Sequence, residues 1–311
     1  MRFFMAPYYK GRVRFENPFL LPPGKESGRT VTRPKFSRRS FIAALVFVTL
    51  LLFACRPVAA TGPSLTIGAG PDPGRQLLAE LAAQLLAGQG LTTVVHHGIP
   101  DADLGLRLAD GTIDLCFTET APPPRLPADD AELVRLPALP FATGQALLMR
   151  QRQAQALGIQ TISDLATLLT EQPRLPLRFA AADSRHLAQI AHHYGLQPAL
   201  AGQSLPTIDL IYRQLKNGHV DVGIGRASDG RIIAFRLAIL TDDKLALAAG
   251  HTAPLARADT LRQHPEIATQ LARLNKMMDL NTLQRLTAGI LIGHRQPGDM
   301  AREWLETSAR R

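Results

Sequence analysis

The loop Gly68-Ala69-Gly70-Pro71-Asp72-Pro73-Gly74, with Arg75 directly behind it, is the first place where the chain offers groups that could hold an anion. It lies between the apolar Leu65-Thr66-Ile67 and the run RQLLAELAAQLLAGQG, so the free amides of a starting helix and one guanidinium would face the same space. The loop has neither the G-x-G-x-x-G spacing nor the lysine of a phosphate loop, and a turn entering a helix is the first reading. A second corner of this kind is Asp183-Ser184-Arg185, between a strand and a helix, where helix capping and ligand contact both stand. His96-His97 and His192-His193 are adjacent pairs whose side chains diverge on a strand or a helix. No H-x-x-x-H or H-E-x-x-H spacing occurs, and no metal is expected. Cys116 sits inside an apolar strand and reads as a buried small residue. Without a G-x-S-x-G elbow, a nucleophile constellation or an acid–base pair, no catalytic residue and no cofactor are expected.

The elements that must position these groups alternate in type. Leu77, Leu78, Leu81 and Leu85 recur at helical spacing after the loop, and Gly88 or Gly90 can end that helix in the left-handed conformation. A strand at Thr92 to Val95 follows, then a short helix from Asp103 to Ala109, an Asp-Gly-Thr turn and a strand from Ile113 to Phe117. This β-α-β-α-β order predicts a mostly parallel sheet with helices on its faces. APPPRLPADD at 121–130 reads as a surface connection. LVRLPALPFATGQALLMR then suggests a strand pair feeding a long strand, TISDLATLL a helix capped by Ser163 or Thr161, and 177–181, 185–194 and 209–216 a strand and two helices. In VDVGIGRASDGRIIAFRLAILTDDK, at 220–244, two apolar runs flank a Ser-Asp-Gly-Arg turn. The tail is helical: Pro265 opens EIATQLARLNKMM, and NTLQRLTAGILI and DMAREWLETSA follow.

The formal charge of +9 would point to a nucleic-acid or membrane partner if it were spread over the fold, but it is not. Residues 1–60 carry eleven lysines and arginines against Glu16 and Glu26, which is the whole excess, and the remaining 251 residues are balanced. A nucleic-acid role loses its support. In the basic segment, FIAALVFVTLLLFA at 41–54 falls short of the roughly 20 residues of a membrane-spanning helix and suits the core of an export signal. SRRSFIA at 37–43 resembles the twin-arginine motif, with Ala43 where a lysine is common. Processing has two candidates, a lipoprotein-like Leu-Phe-Ala-Cys ending at Cys55 and a small-residue site at Val58-Ala59-Ala60, with lipidation at Cys55 placed first and an uncleaved anchor as the third option. The expected location is the periplasm or the outer face of the cytoplasmic membrane. Only Cys116 remains beyond the leader, so the body folds without a disulfide.

Taken in order, LADGTIDL at 108–115, LPALPF at 136–141, LGIQTISDLA at 157–166, HYGLQ at 193–197, YRQLKNGHVDVGIG at 212–225, DGRIIAFRLAILTDDK at 229–244, TAPLARADTLRQHPEIATQLARL at 252–274 and DMAREWLE at 299–306 resemble the substrate-binding proteins of ABC transporters for glycine betaine, choline and related osmoprotectants. The likeness spans nearly everything from Ser64 to Ser308. It implies an α/β, two-lobed periplasmic-binding-protein fold of the type II-like kind, each lobe a mostly parallel sheet flanked by helices, with two crossover strands. Behind a leader at 1–60, the domain at 61–311 would place 64–145 and 236–308 in lobe one and 146–235 in lobe two, with Ile232 to Leu240 as the return crossover. The implied role is a non-enzymatic solute receptor that closes on a small molecule and delivers it to a permease and ATPase. An accessory or sensory lipoprotein that kept the fold is the alternative, and a repurposed enzyme has the least support.

The resemblance also shows what this chain has changed. Such proteins hold quaternary ammonium groups in a cage of aromatic faces. Here Cys116-Phe117-Thr118-Glu119 puts Glu119 where the family commonly has a tyrosine, Gln145 in Phe141-Ala142-Thr143-Gly144-Gln145 replaces another, and Gly250 stands where Pro-Tyr-Asn is frequent. Most of the remaining aromatics, Phe179, Tyr194, Tyr212, Phe235 and Trp304, read as packing residues, which leaves Phe117 and Phe141 as cleft candidates. The expected ligand contacts are Asp72, Arg75, Phe117, Thr118, Glu119, Phe141, Thr143, Gln145, Asp183, Ser184, Arg185 and Asp229. Glu119 could pair with a cation that has N–H donors; the expected solute is small and polar or quaternary-ammonium-like, and a polar or differently shaped one suits these substitutions better than betaine or choline.

Overall fold

The computed structural model describes residues 64–119, 132–196, 203–247 and 250–308; the leader with Cys55 and its alternative cleavage site, and the proline-rich connection at 121–130, lie outside these residues. Pro71-Asp72-Pro73 starts the first helix as the sequence suggests. Asp72 is extended, its carboxylate accepts from the Arg75 amide at 2.9 Å, and Pro73 occupies the first turn, where a missing N–H costs nothing. The resulting α1 (Pro73–Ala87) buries Leu77, Leu78, Leu81 and Leu86 against the sheet. Of the two glycines that follow, Gly90 takes the left-handed conformation at φ 90°, while Gly88 stays helical.

The first sheet holds β1 (Leu65–Gly68), β2 (Thr93–His96), β3 (Leu115–Glu119), a short β4 (Leu133–Arg135) and a late β10 (Thr252–Arg257), in the order β2-β1-β3-β10-β4. β1 runs parallel to β2 and β3, and β10 antiparallel to β3 and β4. The second sheet is built the same way from β5 (Gln145–Arg150), β6 (Phe179–Ala181), β7 (Gln203–Ser204), β8 (Val222–Arg226) and β9 (Leu237–Leu240), in the order β7-β6-β8-β5-β9. Both sheets are mixed because the strands next to the junction, β10 and β5, each enter from the other lobe and run against their neighbours. Helices α2 (Asp101–Ala109), α8 (Ala258–Gln263), α9 (Glu266–Met277), α10 (Leu280–Leu291) and α11 (Pro297–Ser308) belong with the first sheet. The second has α3 (Gln151–Leu157), α4 (Ile162–Glu171), α5 (Ser184–Tyr194), α6 (Ile208–Asn217) and the one-turn α7 (Arg231–Ala234). Thr161 is the cap of α4, in a reciprocal box with Asp164, while Ser163 instead donates to Asp243. Each sheet buries its own apolar set, Ile67, Leu81, Leu115 and Leu271 in one and Leu147, Met149, Ile162 and Ile190 in the other.

The return to the first sheet differs from the expectation at 232–240. Ile232 lies in α7, the chain turns at Arg236 with φ 54°, and Leu237–Leu240 pairs antiparallel with β5 as the edge of the second sheet. The reason is that β5 has β8 on one side only; β9 covers the backbone groups on its other side and buries Leu237 and Leu240. The boundary expected at 235/236 therefore moves past Leu247, whose amide still donates to Asp242 of the second lobe.

The two crossings lie side by side. The amides of Thr143 and Gly144 both donate to the Gly250 carbonyl at 2.8 Å, and the Thr143 hydroxyl lies 2.8 Å from that of Thr252. A Cβ on Gly144 would fall 2.7 Å from the Gly250 nitrogen, so the close approach depends on glycine. A third contact comes from the turn after β8. Gln284 Nε2 donates to the Ala227 carbonyl at 2.7 Å and Thr287 Oγ1 to that of Ser228 at 3.1 Å, which seats the turn on α10.

Candidate ligand cleft

In open α/β sheets ligands gather at the carboxyl ends of the strands, and here the ends of β3 and β8 face the start of α1. From the first lobe come Asp72, Arg75, Asp101 and Glu119. Asp72 uses Oδ1 to cap α1 and holds Oδ2 3.1 Å from Nε of Arg226, the last residue of β8. Nη2 of the same arginine forms an ion pair with Glu119. Arg75, only 6% exposed, donates from Nη2 to Asp101 at 2.8 Å, and its Nε reaches no hydrogen-bond acceptor. Gly250 leaves room beside Glu119, since a Cβ there would sit 3.1 Å from Oε2. Arg226 is fixed through its main chain: the buried Tyr212 hydroxyl accepts from its amide at 2.9 Å and donates to its carbonyl at 3.1 Å. Gln145 is the register partner of Arg226 and reaches the His186 ring at 2.9 Å. Thr118 accepts from Arg135 at 3.1 Å. The cleft is thus lined by opposite charges from both lobes, only partly withdrawn from water.

Several residues expected at the ligand have other partners. Phe117 is 2% exposed and points with Leu115 into the first lobe's core, because alternate β3 residues share a face. Phe141 packs half-buried against the same core. Thr143 is taken up by the crossings. Asp229 is buried and gripped at both oxygens by Arg231, at 2.9 and 2.7 Å, so it stabilises the turn rather than facing solute. Asp183 caps α5, and its hydrogen bonds with Arg185 hold its carboxyl at about 2, below the usual range. The Arg185 side chain is 88% exposed and Ser184 is exposed with it. Asp72, Arg75, Glu119, Gln145 and Thr118 are the expected residues that the structure brings together. It adds Arg226, Asp101 and His186, which sequence reasoning missed; the first charged residue after the apolar VGIG run was the available signal for Arg226. Cys116 is fully buried, and burial pushes its thiol up to about 12, which withdraws it as a nucleophile. Among the described residues no three His, Cys, Asp or Glu side chains converge as metal ligands would, and no helix is long and apolar enough to cross a membrane.

Residues 63–307 match the substrate binding domain of ABC-type glycine betaine transport systems. A glycine-betaine-binding protein of Pseudomonas aeruginosa is 29% identical over 287 residues, 82% of this chain and 92% of its own length. The carnitine transport binding protein OpuCC of Listeria monocytogenes is 26% identical over 171 residues, 53% of this chain and 54% of its own. The crystal structure of a glycine betaine/carnitine/choline ABC transporter protein superposes with a TM-score of 0.69 at 20% identity, over 78% of this chain and 98% of that one. Apo YehZ of Escherichia coli gives a TM-score of 0.64, also at 20% identity, over 79% and 99%. These structures share the two-lobed, type II-like periplasmic-binding-protein fold.

Proposed function

The chain belongs to the family of substrate-binding domains of ABC-type glycine betaine transport systems, and we propose that it is the extracytoplasmic solute receptor of an ABC importer, without catalytic activity of its own. A small polar solute is captured between the lobes and handed to a permease driven by its ATPase. The observation that carries this reading is the junction: two sheets with separate cores are joined by paired crossings, and charged side chains from both lobes meet between them. A solute touching both lobes shifts their balance toward a closed form, and a permease can read that form.

The solute is where this chain parts from its relatives' names. A quaternary ammonium cannot donate hydrogen bonds, and each aromatic face around it contributes about 0.5–2 kcal/mol. With Phe117 committed to the core and Glu119 beside Arg226, such faces are scarce among the described residues, and a polar solute suits the cleft better. In the leader, Cys55 would carry a lipid that tethers the receptor to the outer face of the cytoplasmic membrane. The test compares uptake of labelled betaine, choline, carnitine, amino acids and polyamines in cells with and without the gene. Uptake of at least one solute should fall and return on complementation, and a Cys55→Ser copy should leave the protein in the soluble fraction. Unchanged uptake throughout would overturn the transport reading in favour of an accessory lipoprotein.

A further inference from the structure

Resting on the receptor reading, we propose that Asp72 and Glu119 form the cation subsite of the cleft, that the Arg226 guanidinium is a tethered competitor for it, and that the solute displacing this group carries a guanidinium or primary ammonium with N–H donors. Two carboxylates of the first lobe converge on one positive group of the second: Asp72 Oδ2 lies 3.1 Å from Arg226 Nε, and Glu119 pairs with Nη2. Arg75 shares its charge between Asp72 and Asp101 and so offsets only one of these two carboxylates. It stands 3.8 Å from Asp72 and gives its short contact, 2.8 Å, to Asp101. The subsite is therefore more anionic than one guanidinium neutralises.

Arg226 occupies the place that the solute cation would take. Its Nε lies against Asp72 Oδ2 and its Nη2 against Glu119 Oε1, so one guanidinium spans both carboxylates. A side chain anchored on β8 cannot present its donors freely, whereas an untethered cation of the same chemistry can turn them onto both carboxylates. Tyr212 holds the main chain of Arg226 and not its guanidinium, so the side chain can leave without moving β8. Glycine at 250 keeps a side chain from pressing on Glu119, whose Oε2 a Cβ there would meet at 3.1 Å. A trimethylammonium has no N–H to give these oxygens and would leave them unpaired on displacing Arg226.

The test is calorimetric titration of the purified protein, and of its Arg226→Ala, Arg226→Gln and Glu119→Gln variants, with agmatine, arginine, putrescine, choline and glycine betaine. At least one N–H cation should bind at least about tenfold more tightly than either quaternary solute, the size of one charge-assisted hydrogen bond. Removing the competitor with Arg226→Ala or Arg226→Gln should tighten that solute by about tenfold and leave choline within about threefold. Glu119→Gln should weaken it by about tenfold. Tighter binding of choline or betaine would overturn the inference and leave the receptor reading intact. Weaker binding of the N–H cation by both Arg226 variants would also overturn it, since Arg226 would then hold the solute. Silence from every solute in every variant would count against both readings.

Discussion

Replacing Gly230 with alanine tests whether the turn after β8 is a fixed part of the junction. Gly230 has φ −65° and ψ −18°, which alanine adopts freely, so on backbone entropy alone the change should stabilise by about 0.4–1 kcal/mol. The structure predicts the opposite sign. A Cβ would lie 2.0 Å from the Ala288 nitrogen, 2.5 Å from its Cα and 2.5 Å from the Thr287 carbonyl carbon, all main-chain atoms of α10 that cannot rotate away. Overpacking of this kind costs about 1–3 kcal/mol. If the turn lifts, the bonds from Gln284 to Ala227 and from Thr287 to Ser228 go with it, at about 0.5–1.5 kcal/mol each. The net expectation is a loss of about 2–5 kcal/mol, or a fall of about 5–15 °C in the melting temperature of a domain of this size. Calorimetry checks it, with Gly158→Ala as the contrast. Gly158 has φ 68° and nothing within 4 Å of a Cβ, so it should show the left-handed penalty alone, about 1–2 kcal/mol. A melting temperature unchanged or raised in Gly230→Ala would refute the claim that the second lobe's turn is seated on α10.

Asp221 should set part of the acid stability. Burial alone would raise its carboxyl, but hydrogen bonds from Arg178 and then Arg150 outweigh that and hold it at about 2. Because this lies below the unfolded value of about 3.9, its contribution is complete above that pH and disappears as pH falls toward 2. Acid unfolding followed by circular dichroism should find Asp221→Asn less stable at neutral pH and flatter between about pH 4 and 2, and an identical acid profile would contradict this. Cys116 should resist a thiol reagent at about pH 8 in the native protein and react on unfolding, read by peptide mass mapping so that Cys55 is counted separately. Rapid native labelling would show that the first sheet opens at β3.

Local chemistry made a large part of the fold legible. Leu77, Leu78 and Leu81 fall on one face of α1 because a helix repeats every 3.6 residues, and Asp72 with Pro73 marks its start because a carboxylate can take the free amides there. The alternation of strands and helices gave the α/β class, and the order of short family-like segments from 108 to 306 gave the receptor architecture, although none of those segments is distinctive alone. Where two hydroxyls qualified as the cap of α4, the local pattern stopped short, and the reciprocal bond with Asp164 decides for Thr161.

Tertiary structure decided the pairings between distant segments. The run Leu237–Leu240 reads as a strand in any setting; that it edges the second sheet instead of crossing back depends on the uncovered side of β5, some 90 residues earlier. Phe117 was equally apolar as a cleft face or as core, and only the packing of β3 against α1 shows which way its alternation points. Asp229 qualifies as a ligand contact by residue type, and only the folded turn closes Arg231 on both of its oxygens. The meeting of Asp72, Glu119 and Arg226 lies furthest from sequence reasoning. Helical and strand periodicity fix which residues share a face, but charges from segments this far apart meet only when register and lobe packing bring them together, and neither is encoded in the spacing of neighbours.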